Sequence, residues 1–122
     1  MKKDLKVIVC RTNGFVEISH VEDKLETWQK IVDGYIEIIR LPVDEDICII
    51  LNEEGKLLGL EPNILLPEYQ DMLMGNIVFA ADNGKGGFKD LSDKQIATVL
   101  NYIDDNWFTI EKFEEFIKQI RR

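Results

Sequence analysis

Three short apolar runs constrain this chain most: "LKVIVC" at 5–10, "DICIIL" at 46–51 and "NIVFAA" at 76–81. Each is rich in β-branched residues and bounded by turn-forming or charged residues, so each reads as a buried strand. None approaches the length of a membrane span. "RTNGF" separates the first run from a second strand expected at 14–19. Its Asn13-Gly14 pair tolerates the positive φ angles of a tight hairpin turn. "YIEIIRL" at 35–41 returns to strand character. In "DICIILNEEGKLLGL", a tight turn at Glu53-Glu54-Gly55 is expected to lead into a short return strand ending at Leu60. Pro62 and Pro67 then mark an irregular segment with room for one helical turn.

Helices occupy the intervals. In "EDKLETWQKIVDGY", Asp23 and Glu26 have capping-box spacing, while Leu25, Trp28, Ile31 and Val32 share one helical face. Gly34 stands where a left-handed residue ends a helix. Ser92 and Gln95 form a second capping box, followed by a stripe of Ile96, Val99, Leu100 and Ile103. Thr109 can cap a last helix with Ile110, Phe113, Ile117 and Ile120 expected on its inner face. The order is β-β-α-β-β-β-β-α-α, with short connections and no repeat. That is a single α+β domain over 1–122: a mostly antiparallel sheet, one helix in the N-terminal half and two C-terminal helices.

Composition narrows the function. Of 122 residues, 45% are hydrophobic and 31% charged, the balance of a globular chain. Fifteen Lys and Arg face 23 Asp and Glu, a net charge of -8. That opposes direct nucleic-acid binding, which needs a basic face to displace counterions. "MKKDLKVIVC" lacks the apolar core and small-residue cleavage site of a signal peptide, so a cytoplasmic protein is expected, with Cys10 and Cys48 as buried free thiols. His20 has no Ser or Cys partner motif, and two cysteines and one histidine so far apart suggest no zinc site. Neither a Walker motif nor a dinucleotide fingerprint occurs. No enzyme, metal or cofactor is expected.

"DNGKGGFKDLSD" at 82–93 is the one chemically suggestive loop. Amides freed by Gly84, Gly86 and Gly87 can form an anion-binding nest, Lys85 and Lys89 add charge, and Phe88 offers a ring. A surface turn explains the same glycines, and Ser92, not a glycine, caps the following helix.

The stretches "IVDGYIE", "NEEGKLLGLEPN" and "LSDKQI" carry a resemblance. Over residues 5–103 the chain resembles the domain of unknown function 3846 family, leaving 104–122 as a helical extension. The family's pattern commonly has Arg after the asparagine matching Asn63, where this chain has Ile64. The resemblance implies a small phage, prophage or mobile-element protein and brings no catalytic residues. Asn52, Gly55 and Gly59 also suit a tight hairpin, with Leu57, Leu58 and Leu60 expected to fill the core.

Two readings follow. One is a non-enzymatic accessory protein that counteracts host immunity by binding, most sharply by sequestering a nucleotide-derived signalling molecule. Its available ligand groups are Arg11, Tyr35, Arg40, Asn52, Lys56, Asn63, Asn76, Phe79, Gly84, Lys85, Gly86 and Phe88. The other is a protein-binding inhibitor of a host defence protein, including an acidic mimic of DNA. A homodimer sealed partly by the 109–122 helix is also expected, because the two C-terminal helices carry more apolar surface than one small sheet face needs.

Overall fold

A computed structural model of the chain describes residues 4–120. The described residues form eight strands and three α-helices, one helix after the second strand and two after the last. The main sheet has the order β2 (Val16–Val21), β1 (Leu5–Cys10), β7 (Ile77–Asp82), β4 (Asp44–Asn52), β3 (Ile36–Leu41), and every pairing is antiparallel. A two-residue strand, β8 (Phe88–Lys89), adds to β7. A second sheet pairs β5 (Pro62–Leu66) with β6 (Asp71–Met74), joined through a 3-10 turn at Pro67–Tyr69. The fold is α+β, as expected.

Strand alternation gives the main sheet two apolar faces. Ile8, Cys10, Ile47, Ile49, Ile77 and Phe79 point to one face. There they meet Ile64, Leu66 and Leu73 of the small sheet and Val99, Tyr102 and Ile103 of α2 (Asp93–Asn106). Val7, Val9, Ile50, Val78 and Ala80 point to the other, where Trp28 and Val32 of α1 (Leu25–Val32) cover them. α1 has eight residues, a length of about 12 Å, so it covers only part of this face. The sheet beyond its reach is covered by Phe88, whose ring meets Trp28 edge-on at 5.6 Å and 84°.

Several local expectations hold. Gly14 takes φ 82 in the Asn13-Gly14 turn, and an added Cβ would lie 2.7 Å from the Trp107 ring. Ser92 and Gln95 form the complete reciprocal cap of α2. The Thr109 hydroxyl accepts from the Lys112 amide at 3.1 Å at the start of α3 (Ile110–Ile120).

Others need correction. β2 starts at Val16, because the turn extends through Phe15, whose amide returns to Asn13 Oδ1 at 2.9 Å. Asp23 caps nothing in α1: Lys24 is the N-cap, without a side-chain bond. The left-handed residue ending α1 is Asp33, at φ 63, rather than Gly34. No return strand follows β4. Residues 53–59 form successive turns closed by Leu58 N to Glu54 O and Leu60 N to Gly55 O, so Leu57 and Leu58 are exposed. The segment expected to be irregular is instead strands β5 and β6, joined through the 3-10 turn at Pro67–Tyr69 that is the one helical turn it had room for, and Ile64 is fully buried. In α1 Leu25 and in α2 Leu100 are exposed at the margins of their stripes. α3 buries Phe116 and leaves Ile110 and Ile120 exposed, so the expected inner face is not the one that packs.

Candidate functional site

The asparagines singled out in the sequence serve the fold. Asn63, 4% exposed, donates from Nδ2 to Cys10 O and Gly75 O at 2.9 Å each, while the Cys10 thiol donates to its Oδ1 at 3.2 Å. Asn52, 3% exposed, donates to Val32 O and Asp33 O at 3.1 Å, and its Oδ1 accepts from the Glu54 amide. It fastens the left-handed end of α1 to the start of the 53–59 turns. Asn76 accepts from Thr12 N and donates to Ile31 O. Each offers its amide to backbone groups left unpaired where a strand or helix ends. Asn52 and Asn63 therefore have no amide hydrogen to give a ligand.

The other predicted residues divide. Phe79 is fully buried in the core and presents no ring. Lys56 is ion-paired with Asp71 beside a cleft also lined by Glu37, Glu53 and Glu54. Arg11 lies 3.7 Å from Glu17 on the β1–β2 ribbon, away from the rest. Tyr35, 69% exposed, lines a shallow opening with Gln29, Gly34, Asn52, Glu54 and Leu58.

Arg40, Gly84, Gly86 and Phe88 do come together. With Ile38, Cys48, Asp82 and Gly87 they line a groove of about 240 Å³. Its position follows from the fold: it occupies the α1 face of the sheet beyond the end of that short helix. β3 supplies Ile38 and Arg40, β4 supplies Cys48, and the β7–β8 loop supplies the rim. Asp82 was not anticipated, nor were Ile38 and Cys48. The only signal was the position of Asp82 two residues before Gly84, the spacing of a side chain that turns back onto the loop.

Asp82 organises the groove. Its Oδ1 accepts from Gly84 N at 2.8 Å and its Oδ2 from Arg40 Nη1 at 2.5 Å. The Gly84 amide and then the Arg40 guanidinium hold its carboxyl below the usual range. Arg40 Nη1 also reaches Glu45 O at 3.2 Å. Asn83 Oδ1 accepts from Lys85 N at 2.7 Å and Gly87 N at 3.0 Å, and Asn83 N closes the loop onto Gly87 O. The amides of Gly84, Lys85 and Gly87 are therefore bonded to the loop's own side chains. The glycines build a closed turn rather than an open nest for phosphate.

Burial raises the thiol pKa of Cys48 at the groove floor, with the nearby Arg40 charge opposing it. Burial pushes that of Cys10 up to about 11, against a smaller lowering by its Asn63 bond. Both are free and buried, and neither carries the thiolate character of a nucleophile. Among the described residues, no group of three His, Cys, Asp or Glu side chains is placed to hold a metal ion. No described helix is long and apolar enough to cross a membrane.

No curated protein and no solved structure matches the chain. The model of one family, the domain of unknown function DUF3846, matches residues 5–104, which takes in both sheets, α1 and most of α2 and leaves out α3. By that match over most of its length, the chain belongs to the DUF3846 family.

Proposed function

We propose that this protein works by binding rather than catalysis, and that the groove beneath the glycine loop takes the base of a small nucleotide-derived molecule. One juxtaposition supports this reading: the Phe88 ring, the Ile38 side chain and the Arg40–Asp82 pair line a single opening. The ring and the isoleucine suit a flat apolar face. Ionised Asp82 offers acceptor oxygens and Arg40 keeps N–H donors beyond those it uses, so the pair matches adjacent donor and acceptor atoms on a base edge. The amides of Gly84, Lys85 and Gly87 are engaged, so on this reading the base rather than a phosphate sets selectivity. Sequestering a host immune signal, as an accessory protein of a phage or mobile element, is a role that such a site suits.

Calorimetry of the full chain against nucleosides, cyclic nucleotides and cyclic ADP-ribose isomers tests this. Binding is expected for at least one, with the parent nucleoside also bound. Phe88→Ala should weaken it about tenfold or more, the scale of one base–aromatic stack. The ligand recovered after denaturing the protein should be chemically unchanged; a converted ligand would mean an enzyme. Silence across the panel sinks the reading.

The outer edge of β3 supports a second reading, inhibition of a host defence protein. Tyr35 O accepts from Glu53 N on the β4 side, so by alternation the backbone groups of residues 36, 38 and 40 face outward. Tyr69 Oη takes Arg40 O, which leaves Ile36 and Ile38 to pair with an added strand, beside the exposed Ile38 side chain. The charge of -8 favours a basic partner, the acidic DNA-mimic case included. Salt-sensitive co-purification with a DNA-binding host protein, lost when Ile38→Pro blocks the edge, is the expected result. Retention by that variant would refute the edge as the contact.

A further inference from the structure

The two charged residues of the glycine-loop groove leave different capacities unspent. Arg40 uses Nη1 for both Asp82 Oδ2 and Glu45 O, at 2.5 and 3.2 Å. Among the described residues its Nε and Nη2 make no hydrogen bond, so adjacent N–H groups remain on one side of the guanidinium. Asp82 accepts one bond at each oxygen, from Gly84 N and from Arg40, and each carboxylate oxygen has a second lone pair. The Gly84 amide and the Arg40 guanidinium keep this carboxyl ionised at neutral pH, so it accepts and cannot donate. One groove residue therefore only donates and its neighbour only accepts, beside the exposed Ile38 and the half-buried Phe88. Their charges offset each other, which suits a neutral ring better than an anion. At about 240 Å³ the groove is smaller than the roughly 300–1,000 Å³ pockets that enclose a whole drug-sized ligand, so it holds one ring system.

We infer that this groove selects guanine among the bases, an inference that rests on the reading of the groove as a base site. Guanine meets both residues at more than one atom. Its O6 and N7 are neighbouring acceptors, the pair that an arginine reads with two N–H groups. Its N1–H and N2–H are neighbouring donors, which a carboxylate accepts. O6 lies between N7 and N1, so a guanidinium and a carboxylate standing side by side, as Arg40 and Asp82 do, meet one continuous edge. Adenine and cytosine each bring one exocyclic amine and uracil one ring N–H, so each gives Asp82 a single donor group. Adenine also sets its amine where guanine has O6, and so offers the guanidinium no pair of adjacent acceptors.

Calorimetry of the full chain compares guanosine, inosine, 1-methylguanosine, adenosine, cytidine and uridine. Guanosine should bind about tenfold or more tightly than inosine, which lacks only the N2 amine, and than 1-methylguanosine, whose N1 carries no hydrogen; that is the scale of one lost bond to a charged group. Adenosine, cytidine and uridine should be weaker than guanosine by about tenfold or more. Asp82→Asn replaces one acceptor oxygen by a donor amide, so the guanosine-to-inosine ratio should fall toward one while circular dichroism stays native. The analogue comparisons use the unaltered chain and stand whether or not that variant folds. Silence toward all six nucleosides would remove the base site and this inference with it. Binding in which adenosine, a pyrimidine nucleoside or inosine matches guanosine would leave the base site standing and overturn the choice of guanine. A guanosine-to-inosine preference that survives in a folded Asp82→Asn chain would overturn it too.

Discussion

Asn63→Ala isolates the contribution of a single side chain to this fold. The substitution removes both donors from two carbonyls, Cys10 O at the end of β1 and Gly75 O between β6 and β7. The site is 4% exposed, so water replaces the amide poorly. A buried polar group left unpaired costs about 1–3 kcal/mol, and two such groups sharing one cavity should cost about 3 kcal/mol after partial relaxation. That is a large fraction of the roughly 5–15 kcal/mol that holds a domain of this size. The lost bond to the Cys10 thiol adds little, since S–H is a weak donor. Urea unfolding followed by the fluorescence of Trp28 and Trp107 reads the change as a lower midpoint at unchanged slope. Asn76→Ala serves as the control. Its bonds to Thr12 N at 3.1 Å and Ile31 O at 3.4 Å are half-buried, so a cost of about 1 kcal/mol is expected. Equal effects of the two substitutions, or a loss below about 1 kcal/mol for Asn63→Ala, would refute the account of Asn63 as a buried carbonyl cap.

Gly75→Ala should destabilise by about 1–2 kcal/mol in the same assay, because φ is 84 there and the new Cβ would lie 2.8 Å from Leu60 Cδ1. Iodoacetamide at neutral pH should leave Cys10 and Cys48 unmodified in the native chain and label both in urea, as mass spectrometry will show; rapid native labelling would contradict their burial. Asp82 has a folded-state pKa held below its ordinary value, so its contribution is present above the usual carboxylate range and lost as pH falls through the folded value. Asp82→Ala, which removes the acceptor oxygens as well as the charge, should therefore flatten the acid limb of the stability profile and quicken hydrogen exchange at the Gly84 amide, while an unchanged rate at Gly84 would count against the Asp82–Gly84 bond.

Periodicity made the secondary structure legible where burial and propensity agree. β1, β4 and β7 are apolar on both faces because both are covered, and Ser92 with Gln95 marks α2 through local chemistry alone. It misled where an apolar residue follows a turn. "KLLGL" has strand composition, but the bonds from Leu58 to Glu54 and from Leu60 to Gly55 close the chain on itself first, and Leu57 and Leu58 remain in solvent. In α3 the regular 110-113-117-120 stripe looked like the inner face, and the off-register Phe116 is what the core takes. A helical wheel records which side is apolar, not which margin of that side the rest of the chain reaches.

The asparagines show why the candidate site was harder to read than the fold. A polar side chain at a strand end is the sequence signature both of a pocket donor and of a carbonyl cap. Asn52 and Asn63 lie within the "NEEGKLLGLEPN" signature at 52–63, and both prove to bind backbone. Asp82 and Asn83 do the same inside the glycine loop, where they engage the amides of Gly84, Lys85 and Gly87. What separates cap from ligand donor is whether any hydrogen-bonding capacity remains after folding. By that criterion Asn52, Asn63 and the amides of Gly84, Lys85 and Gly87 drop out, and the Arg40–Asp82 pair beside Phe88 stays. The pair lines an open groove, and the guanidinium carries N–H donors beyond the one it uses.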